Sequence, residues 1–108
     1  MVQLEGGTAQ PSATARILTD QQSHQWLLLA TGMTPQPPDK TYELWFITAD
    51  QKAIPGGTFN VNEKGTGTLL ANVPRDIGPI AMAAVTDETA GGVPAPKGSI
   101  QLQAKIQN

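Results

Sequence analysis

Asp87 and Glu88 are the only adjacent carboxylates in the chain, and a paired carboxylate is a natural start for acid–base chemistry or a metal clamp. In extended backbone, however, the two side chains leave on opposite faces, which suits neither a shared proton nor a shared cation. A solvated loop edge is the expectation. His24 is the sole histidine and cysteine is absent, so a zinc site of histidine and thiolate ligands cannot be assembled. His24 sits in a polar run and is expected in an exposed turn. Gly91 to Ser99, Gly-Gly-Val-Pro-Ala-Pro-Lys-Gly-Ser, invites comparison with a phosphate-binding loop. The order is wrong for one, because Lys97 precedes Gly98 where Gly-Lys-Ser/Thr is required. Pro94 and Pro96 also lack the backbone N–H groups that would cradle phosphate. Ser12, Ser23 and Ser99 lie outside any Gly-x-Ser-x-Gly context, and one histidine leaves little for a triad. Trp45 with Tyr42 could line a sugar-binding face, but both lie in the most apolar stretch of the chain, where core packing is favoured. No catalytic residue, cofactor or metal ligand is assigned.

That stretch, Thr41 to Thr48, must organise the rest. Tyr42, Trp45 and Phe46 make three of the chain's five aromatic residues, and such side chains bury roughly 150–250 Å² each. Read with a period of two, Tyr42, Leu44 and Phe46 take one face and Glu43, Trp45 and Ile47 the other. Both faces are mostly apolar, so the strand is expected inside a sheet, with Trp45 packed against the inner strands.

The 108 residues are expected to form one domain, large enough to fold without disulfide or metal. Eleven glycines and nine prolines spread along the chain argue for short strands and frequent turns. The net charge is −2. The seven basic residues, Arg16, Lys40, Lys52, Lys64, Arg75, Lys97 and Lys105, never cluster, so the basic stripe of a nucleic-acid binder is missing. No apolar run approaches the roughly 18 residues of a membrane-spanning helix. Met1 leads straight into Val2-Gln3-Leu4-Glu5, which already alternates like a strand; this suggests a domain cut from a longer protein.

In chain order, Val2 to Glu5 is a short strand ended by Gly6-Gly7. Ala13 to Thr19 alternates, with Ala13, Ala15 and Ile17 on one side. Trp26 to Thr31 reads as a buried strand, and Met33 to Lys40, with three prolines, as a stiff connector. Ile54-Pro55-Gly56-Gly57 reads as a break. Thr58 to Asn62 places Phe59 and Val61 inward, and Asn62 to Gly65 is a hairpin turn, with positive φ at Gly65. Thr66 to Val73 is the return strand, with Leu70 inward. Ile80 to Thr86 is a strand of small residues, Asp87 to Gly98 a loop. Ser99 to Ile106 closes the chain with Ile100, Leu102, Ala104 and Ile106 inside. About eight short strands without helical periodicity predict an all-β fold, an antiparallel, immunoglobulin-like β-sandwich.

Three segments carry a further pattern: Lys40-Thr41-Tyr42-Glu43-Leu44-Trp45-Phe46-Ile47, Pro55-Gly56-Gly57-Thr58-Phe59, and Ala84-Val85-Thr86-Asp87-Glu88-Thr89-Ala90-Gly91-Gly92-Val93-Pro94-Ala95-Pro96-Lys97-Gly98. Together they resemble the anti-sigma-K factor C-terminal domain family, across nearly the whole chain. Thr89 stands where the family usually has proline, Val93 where it has serine and Lys97 where it has threonine. The residues that match the family motif are Tyr42, Leu44, Trp45, Phe59, Thr86, Glu88, Gly91, Gly92, Pro96 and Gly98, in structural or partner-docking roles. The resemblance implies a non-enzymatic domain on the extracytoplasmic face of a single-pass membrane regulator. Its sigma factor would be bound by a separate cytoplasmic region, and the membrane crossed by a helix outside this chain. A site-1-type protease or another envelope protein is the implied partner, and the implied role is control of sigma-factor release by regulated proteolysis. The rival reading is a stand-alone secreted ligand-binding or adhesion-type β-sandwich. About 20 apolar residues shortly upstream would favour the regulator, and a cleavable signal peptide the rival.

Overall fold

In the computed structural model, which describes residues 1–106, every regular element is a strand. β1 (Val2–Gly6), β2 (Thr14–Asp20), β3 (Gln25–Thr31), β4 (Lys40–Thr48), β5 (Ala53–Phe59), β6 (Gly67–Asn72), β7 (Ile80–Thr89) and β8 (Ile100–Lys105) follow in order. All eight join one antiparallel sheet in the order β5-β4-β7-β8-β1-β2-β3-β6. The sheet curls until its end strands β5 and β6 lie beside each other, so the all-β, antiparallel, eight-stranded reading holds and the architecture is barrel-like.

Curling turns one face of every strand inward. Leu4, Ile17, Leu28, Tyr42, Leu44, Phe46, Val85 and Leu102 are fully buried there, as the period-two pattern of each strand requires. The rings interlock: Trp26 meets Phe46 edge-on at 4.8 Å, and Tyr42 lies tilted against Phe59 at 5.7 Å. The small residues of β7 answer the large ones of β4. Phe46 stands opposite Ala83 on the inner face, and Trp45 opposite Ala84 on the outer one.

Four expectations from the sequence are corrected, three of them in pairing or register. Ile54 to Gly57 does not break the chain; it lies within β5, with a bulge where Leu44 pairs with Gly57 but Trp45 with Pro55. Proline is tolerated because the ladder leaves the other side of β5 unpaired. The Asn62–Gly65 turn forms as read, with Gly65 at φ +83° and its N–H 2.9 Å from the Asn62 carbonyl. Yet the strand that follows pairs with β3 instead of β5. Leu28 faces inward, so its partner Leu69 does too, and Leu70 is turned out, 58% exposed. Near the end, a bulge sets Val85 against Leu102 but Thr86 against Ile100. Gln101 is thereby buried while Ile100 is 46% exposed, the reverse of simple alternation. Finally, Asp87, Glu88 and Thr89 are not loop: they extend β7 because Tyr42, Thr41 and Lys40 of β4 pair with them.

Candidate functional site

Three of the motif residues, Trp45, Thr86 and Glu88, converge on the outer face of β4 and β7, beneath the loop from Ala90 to Ser99 that joins β7 to β8 and carries four more. Outward-facing positions of a curled sheet normally meet water. Here Thr41, Glu43, Trp45, Thr86 and Glu88 are all at least nine-tenths buried, with Glu43 opposite Thr86 and Thr41 opposite Glu88. Trp45 is buried as expected but on this outer face, not against the inner strands. Period-two alternation separates two faces without saying which one a later loop will cover.

The buried polar atoms form one relay. The Trp45 indole N–H donates to Thr86 Oγ1 at 2.8 Å. The same hydroxyl donates to Glu88 Oε2 at 2.6 Å. Glu88 in turn accepts the backbone N–H groups of Lys97, at 3.2 Å, and Gly98, at 3.1 Å. On the neighbouring strand β4, Glu43 Oε1 accepts the N–H of Val93 at 2.9 Å. Two buried carboxylates thus hold the loop from beneath at two points. A carboxylate that accepts N–H donors is a strong acceptor, and Pro94 and Pro96 between those points carry no N–H to satisfy. The expectation of a solvated edge at Glu88 is therefore overturned: its carboxylate is the inner anchor of the loop. Asp87, on the opposite face, accepts the Ser99 N–H at 2.8 Å.

The glycines explain why the loop can lie so close. A Cβ on Gly98 would fall 1.6 Å from the Asp87 carbonyl oxygen, an impossible approach. Gly92, at φ +84°, passes over Thr58 and the Glu43 carboxylate, where a Cβ would stand 2.9 Å from Thr58 Cγ2. Gly91 and Pro96 are exposed on the outer surface of the loop.

Of the remaining motif residues, Tyr42, Leu44 and Phe59 belong to the inner core. The Tyr42 hydroxyl donates to the Thr34 carbonyl and accepts from Gln10 Nε2 at 2.8 Å. Gln10 also reaches Gln101 Oε1 at 2.8 Å and accepts the Thr34 N–H at 2.8 Å. This second network ties the β1–β2 and β3–β4 connections to the start of β8. Gln10 and Gln101 had no signal in the sequence, since Gln10 sits in a connection and Gln101 is turned inward only by the bulge in the β7–β8 ladder. Among the described residues, no buried side-chain nitrogen or oxygen lacks a partner. Such complete internal satisfaction is the signature of a structural polar network. His24 lies apart, half-buried in a turn at φ +53°, beside a shallow cavity of about 410 Å³ lined with Asp20, Trp26 and Val73.

Burial raises the pKa of Glu43 above the ordinary 4.5; the Val93 N–H opposes the shift and the nearby Glu88 charge adds to it. The folded state therefore holds this proton at pH values where the unfolded chain has released it. Stability contributed here is complete below the unfolded value and falls as pH rises from 4.5 through the raised folded value. The Glu43→Gln variant keeps the acceptor for Val93 and removes the titration. Its stability relative to the parent is expected to grow across that window and level off above it, measured by urea unfolding at pH steps from 4 to 8. A constant difference would mean that Glu43 stays solvated.

Comparison with curated proteins and with solved structures returned no match. The family model described as anti-sigma-K factor rskA, C-terminal, matches residues 1–100. That span takes in β1 to β7, the whole anchored loop and the first residue of β8. It covers the relay from Trp45 to Gly98 and both carboxylate anchors, and it describes a regulatory rather than a catalytic family. The chain belongs to the anti-sigma-K factor C-terminal domain family.

Proposed function

We propose that residues 1–108 are a single extracytoplasmic domain of a membrane-anchored anti-sigma factor, and that its folded state withholds the parent protein from regulated proteolysis. Family membership supports the regulator. The observation that carries the mechanism is the relay Trp45–Thr86–Glu88–Lys97/Gly98, in which buried motif residues hold the loop against the sheet. In this reading the buried motif residues are structural, and the exposed tip of the loop, including Pro96 and Lys97, is where a protease or other envelope partner would dock. Sigma binding and the membrane anchor belong to other regions of the parent; no helix among the described residues is long and apolar enough to cross a membrane.

Proteases cut extended chain, and strands held in ladders present little of it. Where cleavage is limited by the open population, each ~1.4 kcal/mol of lost stability raises that population about tenfold until it saturates. A sigma-dependent reporter, read beside unfolding free energies for core variants such as Leu44→Ala, is expected to rise with destabilisation without the natural signal. A flat reporter across several kcal/mol, at equal protein levels, would reject folding as the gate. Glu88 cannot serve as a docking-only control, because it anchors the loop. Pro96→Ala and Lys97→Gln, both on exposed side chains, separate docking from stability.

A further inference from the structure

One outer face of the sheet is left bare where the β4–β7 face is covered. Strands β2, β3 and β6 present a row of three leucines, Leu18, Leu27 and Leu70, set directly opposite one another by the register. Leu18 is 44% and Leu70 58% exposed, and Leu27 between them is half-buried. The flanking rows are of unlike character, one carrying a cation and a fourth leucine, the other only polar groups. On one side stand Arg16, Leu29 and Thr68; on the other stand Asp20, Gln25 and Asn72. Asp20 and Arg16 are exposed, and neither is in an ion pair among the described residues.

We propose that this face binds a second copy of the same domain, with the two-fold axis lying along the leucine row. The register dictates the match. Face-to-face packing about that axis reverses strand direction while keeping each strand over its own copy. Each leucine of the row then meets its counterpart, and Arg16, two residues before Leu18, meets Asp20 of the copy, two residues after it. The opposite pair forms by symmetry, as an isologous interface requires. Aligned face-to-face packing is an ordinary mode of sheet-on-sheet association. A heterologous partner would have to supply the complementary charge order itself; a second copy supplies it automatically.

The contact is small. Three strands about 4.8 Å apart and five residues of about 3.3 Å each outline roughly 250 Å² in projection. A stable complex covers about 800 Å² per partner. The dimer is therefore weak, and, on the function proposed above, it would matter where tethering to a membrane raises the effective concentration.

Sedimentation equilibrium of the domain from about 10 µM to 1 mM tests this. The parent is expected to dimerise across that range. Leu70→Asp, at a position exposed in the monomer, should weaken association at least tenfold while leaving the melting temperature within a few degrees. Arg16→Asp should also weaken it, and Arg16→Asp with Asp20→Arg should restore it. Asp20 accepts the Gln22 N–H at 3.1 Å, so the melting temperature of the double variant is followed as well, and Arg16→Asp with Asp20→Lys provides a second version of the swap. A monomer at 1 mM, association indifferent to Leu70→Asp, or folded charge-swap variants that stay monomeric would each overturn the proposal. So would binding to phosphatidylglycerol vesicles that Leu70→Asp abolishes without any self-association, which would give the face to lipid.

Discussion

Trp45→Ala is expected to lower the unfolding free energy by about 3–5 kcal/mol, the usual cost of truncating a fully buried ring. That is a large fraction of what a domain of this size has to lose. The indole fills the outer face between Pro55 of β5 and Ala84 of β7, its direct partners in the two ladders, and no other large side chain stands opposite it to collapse into the space. The loss has a second component. Removing the indole N–H takes away the donor to Thr86, the first member of the relay that ends at the loop. Trp45→Phe separates the two, since it keeps most of the buried area and deletes the donor. It should cost about 1–2 kcal/mol. The check is denaturant unfolding with an unchanged m-value, so that the midpoint alone reports stability. An unmoved midpoint for Trp45→Ala would mean that the indole is exposed, and would revive a role for it as a sugar-binding surface.

Glu88→Ala should have the next largest effect, and a different distribution in the molecule. It leaves the N–H groups of Lys97 and Gly98 without acceptors and the Thr86 hydroxyl without its own. Deleting one partner of a buried charged hydrogen bond costs about 2–3 kcal/mol. Much of that loss falls on the loop, because β7 keeps its ladder to β4 through backbone groups. Amide exchange at Lys97 and Gly98 is expected to quicken by about thirtyfold or more, while amides of β4 follow only the global change. Glu88→Gln, which retains an acceptor oxygen, should recover part of the protection. If Lys97 and Gly98 exchange at the same rate in Glu88→Ala, the carboxylate does not hold the loop, and the account of the motif as an anchor fails with it. The reporter experiment gives the same variants a functional reading, since a loop freed locally and a domain opened globally expose different lengths of chain to a protease.

The sequence alone determined the class and most of the strands. Alternation at Ala13, Ala15 and Ile17, the aromatic density of Thr41 to Thr48, and the turn at Asn62 to Gly65 are local properties, governed by side-chain period and by glycine's access to positive φ. They read correctly because nothing distant is needed to specify them. It also singled out the residues of the later relay, through the resemblance of Trp45, Thr86, Glu88 and Gly98 to a family pattern, though not what they do. Tertiary structure decided the rest. Which strand β6 pairs with, and hence that Leu69 points in and Leu70 out, depends on a neighbour some 40 residues away in sequence. The bulge at Thr86, which buries Gln101 and exposes Ile100, is a mismatch between two ladders and has no local signature. Asp87-Glu88 looked like a solvated edge because paired carboxylates usually seek water. Only the loop folding back over β7, with Gly98 lying against Asp87 where no Cβ would fit, put backbone N–H groups in place of that water and made burial of Glu88 tolerable.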